Sequence, residues 1–211
     1  MQSATRMQGG AQGAAGGFTL IELMITLVVL AIGLALAIPT YEDIHQRRET
    51  TAEAQELAAF LAYAQGEAIK ANREVSVQLS HTSSTDWCVG AAEGNSGCDC
   101  TEADSSAADF CSLSGIRHVM DNSAYDRSGM SSFSGGDTFV YDPIRGIKAD
   151  VTQENSYLIE SNNDNWALQV YVGPTGRIRL CNPDSDKKVP GFELCSTLSI
   201  PPIVVLPPLV L

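Results

Sequence analysis

Hydrophobic and polar residues are spread unevenly along the 211 positions of the chain. Residues 1–17 (MQSATRMQGGAQGAAGG) are small and polar, with Arg6 as the one charge. An apolar run, FTLIELMITLVVLAIGLALAIPTY, follows at once. Its 19 residues from Leu23 to Tyr41 carry no charge, close to the roughly 20 that cross a bilayer as a helix. From Tyr41 to about Asn72 the pattern turns amphipathic. Ile44, Leu57, Phe60, Leu61, Ala64, Ala68 and Ile69 recur at three- and four-residue steps and predict one apolar helical stripe. Glu42, Arg47, Arg48, Glu53, Glu56 and Glu67 are expected largely off that stripe.

Beyond Arg73 the period falls to two. Val75–Leu79, Ile116–Met120, Thr138–Tyr141, Tyr157–Glu160, Ala167–Val172 and Arg177–Leu180 alternate wholly or in part, which predicts strands. Turn signals separate them at Gly135-Gly136, Asp142-Pro143, Asn162-Asn163-Asp164 and Gly173-Pro174-Thr175-Gly176. Successive strands without intervening helices imply an antiparallel sheet packed on the helix, an α+β fold. Residues 90–136, rich in Gly, Ser, Ala and Asp, are expected to form a long surface insertion.

Composition narrows the function classes. The formal net charge is −12 and the sequence pI about 4.5, a balance that disfavours general coating of polyphosphates. Ten acidic residues between Asp86 and Asp142 face only Arg117 and Arg127, so most of the acidity lies there, expected as a solvated face. Hydrophobic residues at 44% exclude a disordered chain.

Six cysteines fit disulfides in an oxidising compartment. They fall in two groups, Cys88, Cys98, Cys100 and Cys111, then Cys181 and Cys195. The expectation is one Cys181–Cys195 bond, with the other four paired inside the Cys88–Cys111 segment. Spacing alone does not select the pairing, and zinc is the competing reading for the first group, although it lacks two C-x₂₋₄-C pairs. His45, His81 and His118 are isolated. There is no P-loop, no G-x-S-x-G and no paired-ligand spacing. No catalytic residue, metal site or cofactor is expected, and the protein is read as a non-enzyme.

One residue sets the apolar run apart from a plain anchor. Glu22 lies five residues inside it, and a carboxylate within a membrane segment is costly. A cut after Gly17 would free an amine on Phe18 as a partner for Glu22 of a neighbouring copy. Small Gly16-Gly17 precede the apolar run, the reverse of a secretory signal peptide.

With these residues in view, the sequence resembles the type IV pilin and type II secretion pseudopilin superfamily. Gly17-Phe18-Thr19-Leu20-Ile21-Glu22 is similar throughout to its prepilin-peptidase motif. The resemblance implies cytoplasmic-side cleavage between Gly17 and Phe18, N-methylation of Phe18, and docking to assembled subunits through Glu22. Cleavage would leave 194 residues with a formal charge of −13. Family members also carry a proline where this chain has Pro39, which implies that the helix continues past it.

The segment Ala54–Val77 looks like the GspH/FimT group and its A-x-x-L-x-x-x-L-x-x-A-R-x-E-A-I pattern, with Gln65 where that pattern has arginine. Trp87-Cys88-Val89-Gly90, the C-x-C of Cys98 and Cys100, Tyr141–Gly146 and Gly176–Cys181 are similar to FimT/FimU-type minor pilins.

The resulting expectation is a type IV pilin-like fold in four parts. Residues 1–17 form a cleaved leader. Residues 18–72 form a helical stem with a membrane segment at about 20–41. Residues 73–197 form a periplasmic or extracellular sheet head with disulfide-bonded loops, and 198–211 form a Pro-rich apolar tail without assigned role. The implied function is that of a minor pilin in a pilus initiation or tip complex. A GspH-type pseudopilin of type II secretion is the alternative, and DNA capture for natural transformation a second one, with Arg177 and Arg179 as candidate DNA contacts. Implied partners are other pilins or pseudopilins, the prepilin peptidase and the inner-membrane assembly platform. The implied location is the bacterial inner membrane, single-pass, N-terminus cytoplasmic and head periplasmic, then the pilus or cell surface after assembly.

Overall fold

The computed structural model describes residues 17–183 and 186–198, and along the first helix the side chains of 36–40 are not described. Of the leader expected over 1–17 all but residue 17, and of the tail expected over 198–211 all but residue 198, lie outside the described residues. Helix α1 spans Leu20–Ala71. Thr19 caps it, its Oγ1 accepting from the Glu22 N–H at 3.3 Å, which satisfies one of the unpaired donors of a helix start. At the other end Asn72 takes a positive φ of 51° and the Arg73 N–H returns to Ala68 O at 3.2 Å, a left-handed stop that closes the last turn.

The chain divides into two compact units, residues 1–42 and 43–211. In the first, the large apolar side chains from Phe18 to Leu34 are exposed, as is Glu22. Among the described residues no helix is long and apolar enough to cross a membrane. Described uncharged side chains run from Leu23 to Ala35, 13 residues, and the rest of the segment expected at about 20–41 includes positions whose side chains are not described.

In the second unit α1 buries Ala54, Leu57, Leu61, Ala64 and Ala68 completely, a three-and-four spacing that keeps one face on the sheets. Two expectations are corrected at the edges of this stripe. Ile44 and Ile69 are exposed, 37% and 51%, whereas Glu53 and Glu67 lie buried within the contact. Each of those carboxylates has a hydrogen-bonding serine on the facing chain, which is what admits it to the seam.

Among the described residues ten antiparallel strands follow: β1 (Val75–Ser83), β2 (Asp86–Glu93), β3 (Ser112–Leu113), β4 (Ile116–Arg117), β5 (Val119–Asp121), β6 (Ser128–Ser134), β7 (Thr138–Tyr141), β8 (Asn155–Ser161), β9 (Ala167–Val172) and β10 (Ile178–Cys181). They form one four-stranded sheet ordered β5-β2-β1-β7, a second ordered β10-β9-β8-β6, and the small β3-β4 hairpin. The fold is α+β and pilin-like. Two sheets replace the single sheet expected.

The stretch 90–136, expected as surface insertion, contributes strands to both sheets. β6 reads Ser-Gly-Met-Ser-Ser-Phe-Ser, with little strand propensity, yet its backbone pairs with β8 from Ser128↔Ser161 to Ser134↔Ser156 and Met130 is fully buried. Tertiary pairing overrides local preference there. A single core joins Leu57 and Leu61 of α1 to Val77, Val89, Tyr141, Ile159 and Val170 of the sheets.

Candidate assembly site and head scaffold

The N-terminal motif is accessible. Gly17, Phe18 and Thr19 have no regular structure ahead of the helix, Phe18 is 84% exposed, and no atom of the described residues lies within 4 Å of where a Cβ on Gly17 would sit. Glu22 stands exposed in the first helical turn, where the helix N-terminus favours a negative charge.

All six cysteines are bonded: Cys88–Cys100, Cys98–Cys111 and Cys181–Cys195, with Cα separations of 5.9, 5.1 and 4.9 Å. Cys88–Cys100 ties the 98–111 loop onto β2, Cys98–Cys111 joins the two ends of that loop, and the four cysteines form a satellite core with Ala92 and Val119. The Cys98–Cys111 cystine presses directly on the backbone of Gly90. A Cβ there would strike Cys111 Sγ and stand 3.0 Å from Cys98 Sγ. The third cystine joins the end of β10 to the turn at Cys195–Leu198. Among the described residues no group of three or more His, Cys, Asp or Glu side chains is arranged to hold a metal. His81 Nε2 lies 2.8 Å from Met130 O, and His118 stacks on Phe60 with ring centroids 4.2 Å apart.

Three carboxylates of α1 meet the segment leading into β6. Glu49 accepts the Arg127 backbone N–H at 2.6 Å and pairs with its guanidinium at 3.6 Å. Glu56 accepts the Tyr125 hydroxyl. Between them Glu53 is fully buried, one oxygen accepting from Ser128 Oγ at 2.5 Å and the other, Oε1, without a hydrogen-bond partner. Burial pushes its carboxyl up to about 7, partly opposed by the Ser128 bond and reinforced by Glu49 and Glu56.

Gln65 fills the position where the family pattern suggested arginine. Its Nε2 donates to Gly146 O at 2.5 Å and to Gly176 O at 3.1 Å. The two carbonyls belong to loops on different sheets, after β7 and before β10. Gly146 and Gly176 both have positive φ, 63° and 74°, and a Cβ on Gly176 would come within 2.6 Å of Gly146 O. Only glycine permits this approach without strain.

Arg177 is exposed just ahead of β10. Arg179 pairs in register with Tyr171 of β9, while Ile178 between them packs against the core. Of the downstream lysines, Lys187 is engaged with Glu160 at 2.7 Å and Asp164 at 3.5 Å. Sequence reasoning missed the roles of Gln65 and Glu53. The departure from the arginine pattern marked Gln65, but nothing local marked Glu53.

Comparison with known proteins gives two family matches: Type II transport protein GspH over residues 53–176, and the prokaryotic N-terminal methylation motif over residues 14–38. Type II secretion system protein H of Pseudomonas aeruginosa is 36% identical over 66 residues, 31% of this chain and 38% of that protein. The type IV major alpha-pilin of Moraxella bovis is 49% identical over 43 residues, 20% of this chain and 27% of that protein. The alignments thus span about a quarter to two-fifths of these relatives. Among solved structures, the type IV minor pilin FimU of Pseudomonas aeruginosa superposes with a TM-score of 0.43 at 20% identity, covering 69% of this chain and 96% of that one.

Proposed function

Because the chain belongs to the GspH family and carries the N-terminal methylation motif, it is a minor pilin or pseudopilin of the type IV pilus or type II secretion type, and we propose that it serves in the pilus. In this reading the prepilin peptidase removes residues 1–17, Phe18 is N-methylated, and the helix is held in the inner membrane with its head in the periplasm. The assembly platform then lifts the subunit into an initiation or tip complex. Glu22 pairs with the Phe18 amine of the adjacent pilin, a charge pair that relieves the cost of a carboxylate among apolar helices. The role is structural, and the work is subunit packing.

The observation carrying the pilus assignment is the cystine scaffold of the head. Three disulfides staple both the 98–111 loop and the end of β10, a construction suited to a head displayed outside the cell under load. Similarity to a type II secretion protein H supports the pseudopilin role as a second reading. Deleting the gene separates the two. Loss of surface pili and of the subunit from sheared filaments supports the pilus, whereas intact pili with a block in protein secretion assigns it to the secretion system. Glu22→Val is expected to leave cleavage intact and reduce incorporation.

A further inference from the structure

A pocket of about 330 Å³ opens between residues 47–55 of α1 and residues 189–192 of the segment after β10. Arg47 and Arg48 line it side by side, with Gln55 about two turns further along the helix. Val189, Pro190 and Phe192 form the opposite, apolar wall. That wall is fixed from beneath. Asn182, only 1% exposed, accepts the Val189 N–H on Oδ1 at 2.8 Å and donates from Nδ2 to Val189 O at 3.1 Å and to Phe192 O at 2.7 Å. The Cys181–Cys195 cystine closes the same loop. One buried side chain thus holds the wall in place before any ligand arrives, which lowers the ordering cost of binding.

The arginines are held but not neutralised. Arg47 Cζ stands 5.7 Å from the centroid of the Trp166 ring, a cation–π contact that uses the face of the guanidinium and not its N–H donors. Arg48 is exposed. Neither has an ion pair among the described residues. The carboxylates on this stretch of α1 are engaged elsewhere. Asp43 Oδ1 accepts from Trp166 Nε1 at 2.9 Å, and Glu49 pairs with Arg127. Two adjacent arginines without a carboxylate partner, in a chain of net charge −12, make a place for an anion.

Position narrows which anion. Arg47 and Arg48 follow Tyr41, the last residue of the uncharged run, by six and seven positions. Helical side chains lean toward the N-terminal end of their helix, here toward that run. With the head in the periplasm, the pair runs against the usual concentration of basic residues on the cytoplasmic flank, where the leader offers Arg6 alone. Trp166 suits a membrane–water interface, with its ring under a cation and its N–H on Asp43.

We propose that this pocket holds the phosphodiester headgroup of an anionic phospholipid, from the leaflet at which the stem leaves the membrane. The guanidinium forks take the phosphate oxygens, Gln55 offers its amide to the headgroup, and the Val189–Phe192 wall covers the glycerol carbons. Bound lipid holds the head against the membrane surface until the subunit is withdrawn into a filament. The site rests on the membrane-held reading above and adds a ligand to it.

The test takes the full mature chain in uncharged detergent micelles and titrates it with short-chain phosphatidylglycerol, short-chain phosphatidylcholine and inorganic phosphate. Native mass spectrometry counts the bound lipid. One phosphatidylglycerol should bind saturably, about tenfold more tightly than phosphatidylcholine, and inorganic phosphate at equal concentration should not displace it. Arg48→Gln should remove the preference, as should high salt. Arg145→Gln, in the Ile144 turn after β7, is the control and should bind as wild type does. Circular dichroism checks that both variants are folded. Equal retention of the two lipids, a preference unchanged in Arg48→Gln, or one lost equally in Arg145→Gln would each overturn the proposal. Displacement by inorganic phosphate would overturn it too, making free phosphate the occupant. If selectivity is absent while the chain still floats with phosphatidylcholine vesicles, only the pocket falls. A chain that stays out of the vesicles removes the membrane-held reading as well.

Discussion

Gln65 Nε2 stands 3.1 Å from Gly176 O and 2.5 Å from Gly146 O, so a single helix side chain fastens a loop from each sheet. Without it both carbonyls lose their partner at a partly buried site. Gln65→Ala is therefore expected to destabilise the protein by about 1–3 kcal/mol, read as a fall in urea midpoint at unchanged slope. Gln65→Arg, which keeps a forked donor at this place, should lose less. Equal losses for the two variants would show that the hydrogen bonds contribute little.

Glu53 makes stability fall with rising pH over a defined window. Its folded-state carboxyl titrates at about 7 against 4.5 for the ordinary group, so the folded protein holds the proton more tightly than the unfolded chain. The associated stability is fully present below about pH 4.5, declines between 4.5 and 7, and is absent above. Its size is on the order of 3 kcal/mol at most. Glu53→Gln should raise the melting temperature at pH 8 and flatten the profile between pH 5 and 7.5. A profile identical to wild type would mean that Glu53 is not the titrating group.

Gly90 is sterically committed to the Cys98–Cys111 cystine. Gly90→Val places methyl groups where Cys111 and Cys98 sulfurs now pack, so non-reducing peptide mapping should find free or mispaired thiols among Cys88, Cys98, Cys100 and Cys111. Cys181–Cys195 should remain intact in the same sample. Native pairing throughout would contradict the packing.

The Cys181–Cys195 bond closes a loop with a sequence separation of 14. In the loop-entropy account such a closure stabilises by roughly 3 kcal/mol. Cys181→Ser/Cys195→Ser is expected to lower the melting temperature by several degrees while leaving the other two bonds formed.

How much of this was legible in the sequence depended on the range of the interaction. The helical stripe of Leu57, Leu61, Ala64 and Ala68 and alternation such as that of β1 and β9 are local signals, and they place α1 and seven of the ten described strands. The N-terminal methylation motif over residues 14–38 is legible because it is a contiguous string of residues. β6 was not legible, because its Ser- and Gly-rich residues become a strand only through the ladder to β8. Glu53 was missed for a related reason. A glutamate looks solvated until Ser128, 75 residues away, closes over it. Gln65 could be marked as a departure from a pattern, but its two acceptors lie 81 and 111 residues on, beyond what spacing conveys. The Arg177–Ile178–Arg179 alternation placed Ile178 toward the core, but not the neighbourhood of Arg177 and the Ile144 turn.

The central claim is that this chain works as a processed subunit packed through its N-terminal helix, and the N-terminus of the protein recovered from sheared surface filaments tests it most directly. Mass spectrometry should find a mature chain beginning with N-methylated Phe18, with Gly17→Arg abolishing both the cut and recovery in the filament fraction. A chain that retains Met1, or begins anywhere other than Phe18, would contradict the account.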